Sequence, residues 1–397
     1  MKIGLVTARY GPGMNSAYEL PVWDLSGLYR GRDDPRIARD LEAAGALLDA
    51  DTDAGYAQAV TLLARLHAFG SLFDKGRLEA VMHAHVNAVM ARSRRRDEPP
   101  AAGSPAVEPM LAAISWRGGE IAAAAHRADS GGLKRRWTWG EARALAVAAA
   151  TSLSPEAGAA AQRVFDEERV HARHPGGALT HPAGVCGPYV RLAFDGSLRA
   201  VMTLAHEIGH AAHQMLSRPL GVLRCAPRPA LTETAAAVTE MAAFDWLLHE
   251  ADADERKALL AYRRSDLMAV VVRHAALHRF EAMAQGELSD ALWRRAVEQV
   301  AGPRAARLER PDGWHAFPIL GRARGTAWTY AFARLVAIGL LQARDDDPAA
   351  FARRWTAFLA AGGTVEEMTA LKPFRIDPTV KAFWTDVMDE AVAQATA

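Results

Sequence analysis

Residues 206–210 read His-Glu-Ile-Gly-His, an HExxH motif. On a helix, positions i and i+4 lie on one face, a single turn apart. Two imidazoles so placed can both reach one tetrahedral zinc ion, and the glutamate between them can reach a water on that ion. Zinc brings the pKa of such a water toward neutrality, so Glu207 is placed to take its proton as attack begins. The setting fits this chemistry. The run LAHEIGHAAHQML is apolar, and two histidines and a glutamate are costly to bury there without a partner. Gly209 costs about 1 kcal/mol in a helix interior, so it calls for a packing reason. An incidental histidine pair on a surface helix accounts for neither feature.

A catalytic zinc needs a third protein ligand and an open fourth position. The HExxHxxGxxH continuation is absent, because His213 stands where its glycine would be. The next helical run, LTETAAAVTEMAAF, carries Glu233 and Glu240, seven residues apart and therefore on one face two turns apart. Glu233 follows His210 by 23 residues, room for a loop and an antiparallel return. Its neighbours are Ala, Val and Met, so the face reads as buried, and buried carboxylates are paired or ligating. Glu233 is the expected third ligand. Glu240 is a candidate to orient a ligand histidine, with a plain ion pair to an arginine as the other reading.

At these residues the sequence resembles a family. HEIGHAAH followed by ETAAAVTE is similar to the zinc metallopeptidases of the oligoendopeptidase F and thimet oligopeptidase group, nearer the former. Its zinc helix carries HExGH with a further histidine, matched by His213; its third ligand is the first glutamate of a pair seven apart, matched by Glu233. PVWDLSGLY with DDPRIARDLEAA, PYVRLAFDGSLRAVMTLAHEIGH, and VVRHAALHRFEAMAQGELS resemble further segments of the group, so the likeness is discontinuous but runs nearly end to end. It implies one Zn2+ ion, a peptide substrate, and hydrolysis of short or unfolded peptides inside a helical channel.

Two departures stand out. Members of the group are much longer, and the shortening falls mainly between the N-terminal motif and Trp137, where the channel lobe belongs. A thinner lobe would admit a larger or more specific peptide, such as a biosynthetic precursor. The family's tyrosine-rich segment, which donates hydrogen bonds to the oxyanion, corresponds here to WHAFPILGRARGTAWTYAFARLVAIGLL and keeps only Tyr330. Losing one oxyanion donor typically costs ~100- to 1000-fold in rate. Tyr330 is the expected donor, with packing beside Trp328 and Phe332 as its alternative. His315 is the only nearby histidine, at a longer spacing than the family's, and Arg322 and Arg324 are possible substitutes. The thinning also motivates a rival function: a weak or inactive metal-binding scaffold that holds a peptide or protein partner. An intact Glu207 argues against it.

Other constellations are weaker. His274 and His278 share a helix face without a carboxylate between them and read as structural. His83 and His85 do not share a face. His171, His174 and His181 read as loop residues, with His181 and Tyr189 near substrate if the following strand holds a peptide by β-augmentation; a core role for Tyr189 fits equally. Cys186 near the cleft is a candidate thiol ligand or a small buried residue.

These groups need positioning elements, and the patterning supplies mostly helices. Asp33-Asp34-Pro35 is a helix start. Helical runs follow at 54–69, 76–93, 137–153, 197–216, 231–249, 254–283, 288–301, 326–344, 347–361 and 378–394. PYVRLAF alternates like a strand. Residues 93–105 and 127–136 read as exposed breaks, with Arg94–Arg96 a solvated charge run. The expected architecture is mostly α: a zincin-like helical metallopeptidase with a small β element next to the HExxH helix. Residues 1–136 would form the N-terminal helical region and 137–397 the catalytic region, as one integrated unit.

Composition narrows the function. The 397 residues are half hydrophobic, with 47 basic against 46 acidic side chains and a net charge of +1. That excludes a nucleic-acid binder working by global charge. No run of about 18 apolar residues suits a membrane span. Two cysteines, Cys186 and Cys225, make no disulfide framework. The N-terminal run shows no signal-peptide core, so the expected location is cytoplasmic.

Overall fold

The computed structural model describes residues 20–31, 33–49, 53–73, 104–127, 133–174, 177–182, 186–284, 287–317, 320 and 325–397. The expected helix at 76–93, His83, His85, Arg94–Arg96, Arg322 and Arg324 lie outside them. Helices dominate the rest. They are α1 (Pro35–Asp49), α2 (Asp53–Phe73), α3 (Val107–Arg127), α4 (Trp139–Leu153) and α5 (Pro155–Asp166), then α6 (Leu198–Ser217), α7 (Pro229–Glu250), α8 (Ala253–Leu267), α9 (His274–Met283) and α10 (Asp290–Leu308). The chain closes with α11 (Trp328–Asp346), α12 (Pro348–Ala361), α13 (Glu367–Leu371) and α14 (Lys381–Thr396). Between α5 and α6 lie the strands β1 (Val170–His171), β2 (Leu179–His181) and β3 (Tyr189–Arg191). None of the described helices is long and apolar enough to cross a membrane.

Local chemistry sets the helix starts. Asp34 accepts the Arg36 amide at 2.9 Å just before α1. Thr138 and Glu141 form a reciprocal capping box on α4. Ser197 caps α6 through the Ala200 amide at 3.2 Å, and Asp252, Ser289 and Asp347 do the same for α8, α10 and α12. The sequence-based expectation that the tenth helix stops at 301 meets a real break. Gly302 has φ +81° and precedes Pro303, after which helical winding resumes to Leu308. The run expected at 254–283 is also not uniform: Met268–Arg273 winds as a π-helix between α8 and α9, a feature common at functional sites.

The strand is where sequence patterning misleads. PYVRLAF contributes only Tyr189–Arg191 as β3, followed by an isolated bridge from Ala193 to Arg173. Tyr189 and Val190 are both buried, so β3 is covered on both faces and its alternation carries little meaning. The sheet order is β1-β3-β2, β1 parallel and β2 antiparallel to β3. His171 and His181, expected in a loop, therefore lie in β1 and β2.

Two apolar clusters result. A large one runs from Ala106 to Ala395 and includes α3 through α14. A small one joins Leu25, Leu28, Tyr29, Leu63, Leu66 and Phe69 to Tyr189 of β3. In the large cluster, α6 packs on α7, α7 on α11, and α4 and α5 support α6 from behind.

Candidate metal centre

Helix α6 carries the HExxH residues on its way through the large core. It makes a close backbone contact with α7 at Gly209. A β-carbon there would lie 2.7 Å from the Ala236 Cα and 2.9 Å from the Ala235 carbonyl oxygen. Only a glycine lets the two backbones come this near, which is the packing reason its helix position demands. The approach brings the faces of the two helices together at the ionisable residues.

His206, His210 and Glu233 converge, with one ligand-type atom from each lying within 4.8 Å of the others. Glu233 Oε2 is 3.5 Å from His206 Nε2 and 3.7 Å from His210 Nε2. Tetrahedral zinc with bonds of ~2.0–2.2 Å holds its ligand atoms about 3.3–3.6 Å apart. Glu233 Oε2 is buried and accepts no hydrogen bond, an orphaned carboxylate oxygen aimed between two imidazole nitrogens. Two imidazoles and one carboxylate are also the donor set of a catalytic zinc with an open position. The residues fit the ion.

Charge is organised around this point. Glu240 Oε2 lies 3.1 Å from His206 Nδ1, so His206 is held between two carboxylates that stand two turns apart on α7. Burial alone would lower the His206 pKa; Glu233 and Glu240 outweigh it and hold it well above the usual histidine range. Burial dominates at His210, whose pKa is lowered despite Glu233. Burial works to raise both carboxylates, yet His210 and His206 hold Glu233 below its usual range, and Arg334 followed by His206 do so for Glu240. Arg334 Nη2 donates to Glu240 Oε2 at 3.0 Å and lies 3.3 Å from Asp266 Oδ2. Both readings of Glu240 are therefore present at once: it meets a histidine and an arginine.

Glu207 is buried on the sheet side of α6. Thr180 of β2 grips it: Thr180 Oγ1 donates to Glu207 Oε2 at 2.6 Å and lies 3.0 Å from the Glu207 carbonyl oxygen. Tyr330, on the first turn of α11, lines a cavity of about 450 Å3 together with His206, Glu233, Glu240, Asp266 and Arg334. Burial, then the carboxylates of Glu233 and Glu207, push its hydroxyl pKa up, so it stays a proton donor. Its ring packs 4.7 Å from His274. His274 Nδ1 meets the Ala269 carbonyl at 2.9 Å across the π-helical turn and so donates to it.

The other sequence candidates sit elsewhere. His213 is buried against Phe358, its rings 5.7 Å apart, and burial lowers its pKa to about 3. His315 lies in a short turn with its ring 3.8 Å from Trp314. Tyr189 belongs to the small apolar cluster, beneath the Arg169 guanidinium. His181 is buried in β2 with His67 5.3 Å away. Cys186 packs on the small cluster. Sequence reasoning did not single out Thr180, Arg334 or Asp266, and it gave His274 no place near Tyr330. The buried polar character of Arg334 within the apolar run AFARLVAIGLL was the one signal available.

No protein-family model matches the chain, and no curated protein matches it. Solved structures do. Pz peptidase A with an inhibitor superposes with a TM-score of 0.62 at 14% identity, over 94% of this chain and 79% of that one. A protein of Bacillus anthracis str. Ames assigned as an oligoendopeptidase F gives 0.58 at 13%, over 94% and 77%. A protein of Chlamydophila abortus assigned as a peptidase gives 0.54 at 16% identity, and there this chain covers 90% of itself but only 63% of the other. The fold of this chain is that of the oligoendopeptidase-type peptidases.

Proposed function

We propose that this protein is a zinc-dependent peptidase acting on short or unfolded peptides. The observation that carries the reading is the convergence of His206, His210 and Glu233 with Glu207 on the same helix. Residues His206 Nε2, His210 Nε2 and Glu233 would hold the ion. When bound, zinc supplies a Lewis acid for the scissile carbonyl and acidifies water. Glu207 takes a proton from the attacking water and passes it to the departing amine, since it stands between the two ligand histidines on α6 and, unlike Glu240, is not tied up by an arginine. Thr180 holds one oxygen of that carboxylate by a hydrogen bond, which leaves the other oxygen available as the base. Tyr330 donates a hydrogen bond from its hydroxyl to the developing oxyanion. Both cysteines are free, which suits a reducing compartment such as the cytoplasm.

The test is metal content with cleavage of a mixed peptide library, using Glu207→Gln as control. The expected result is about one zinc per chain and a Glu207→Gln protein that keeps zinc but loses ~100- to 10,000-fold in kcat/KM. Stoichiometric zinc with cleavage indifferent to Glu207 would favour the scaffold reading, and absence of zinc would overturn the site.

A further inference from the structure

We propose that Arg334 is a positioning residue of the metal centre: it fixes His206 through Glu240 and ties that fixture to the helix that carries Tyr330. The inference rests on the zinc reading above. Arg334 is 5% exposed and lies on α11, 94 residues from Glu240 in sequence. Its Nη2 reaches Glu240 Oε2 at 3.0 Å, and the same oxygen meets His206 Nδ1 at 3.1 Å. One carboxylate oxygen thus receives two donors from two helices. Rotating Glu240 away would break both bonds and leave the buried guanidinium with Asp266 alone, a cost that holds the carboxylate in place.

Asp266 of α8 holds the guanidinium from a third direction at 3.3 Å. The chain His206–Glu240–Arg334–Asp266 therefore links α6, α7, α11 and α8. Losing a partner that orients a metal-ligating histidine typically costs about 10- to 100-fold in metal affinity or activity. Arg334 also stands one helical turn after Tyr330, on the same face of α11. Both side chains line the 450 Å3 cavity beside His206 and Glu233. A shift of α11 that misplaced Arg334 would misplace Tyr330 with it. The helix thereby couples the ligand's tether to the residue that would face the substrate carbonyl.

A cycle of Arg334→Met, Glu240→Gln and the double variant in the full chain separates this role from general packing. The readouts are zinc affinity by chelator competition and the visible spectrum of the cobalt-substituted protein, which reports ligand geometry without catalysis. Arg334→Met is expected to weaken metal binding about 10- to 100-fold and to alter the cobalt spectrum. In the Glu240→Gln background the same change should cost less than about 2-fold, because the relay is already cut. Arg334→Lys, which keeps the charge but replaces the planar guanidinium with a flexible, more strongly hydrated ammonium, should fall between and serves if Arg334→Met does not fold. Wild-type affinity and spectrum in folded Arg334→Lys and Arg334→Met would overturn the proposal, as would losses that multiply in full. A wild-type chain that binds no zinc would instead overturn the peptidase reading, and this inference with it.

Discussion

Helix α6 meets two differently built surfaces. Toward α7 and α11 it presents His206 and His210 to Glu233, Glu240 and Arg334, and its backbone closes on α7 at Gly209. Toward the sheet it presents Glu207, and the side-chain hydrogen bond there is from Thr180. Beyond that strand lies the small cluster of α1, α2 and Tyr189. The first surface joins charges inside a large apolar body; the second joins a short, thin sheet to a small lobe. Desolvated charges tolerate little error in distance, because each one left unpaired costs several kcal/mol. The side that would hold metal is thus over-determined, and the side that would admit a peptide is not.

After Glu207→Gln, the largest effect expected on activity comes from Tyr330→Phe. Removing one oxyanion donor should lower kcat ~100- to 1000-fold with zinc affinity unchanged. A small effect would break the comparison, because the tyrosine would then be packing on His274 rather than serving the reaction. Gly209→Ala attacks the close approach directly. Its new methyl would meet backbone atoms of α7 at 2.7 and 2.9 Å, and such overpacking costs about 1–3 kcal/mol. Thermal unfolding should show the loss, and chelator competition should show weaker zinc, since Glu233 moves with α7.

Both of these residues were open to sequence reasoning, and the contrast with those that were not is physical. The HExxH pair and the Glu233–Glu240 spacing are periodic within single helices, so they can be read locally. Gly209 is visible because a glycine in an apolar helix violates propensity. Glu240–Arg334 and Glu207–Thr180 join elements 94 and 27 residues apart, and no local period encodes such a meeting. The π-helical turn that aims His274 at Tyr330 hides inside a run that reads as one helix. The strands were misjudged for a related reason. Strands of only two and three residues, one of them buried on both faces, leave too short a pattern to distinguish from loop.

Thr180→Val sharpens the comparison from the sheet side. Valine keeps the shape but removes the donor to a carboxylate, a bond worth ~1.5–3 kcal/mol. That predicts a fall in kcat/KM of about 10- to 150-fold, with zinc content close to wild type and a modestly lower melting temperature from the unpaired carboxylate. A change confined to KM would place Thr180 in peptide binding instead of in the support of Glu207.

The smallest effect on the metal should come from the small cluster, and it is the sharpest test of how far the two surfaces are independent. Leu66 is 1% exposed in that cluster, so Leu66→Ala should cost ~2–5 kcal/mol of local stability. The loss should appear as faster proteolysis or hydrogen exchange in α1 and α2, which can open without disturbing the large core. Zinc affinity should stay within about 2-fold of wild type, because no ligand or ligand tether touches those helices and distant sites add independently. Among the described residues the lobe reaches the centre through Tyr189 on β3, which pairs with Thr180's strand, and through the ring contact of His67 on α2 with His181 of that strand. If Leu66→Ala weakened zinc as strongly as Arg334→Met, that thin sheet would be transmitting strain to α6. The two surfaces would then be one mechanical unit.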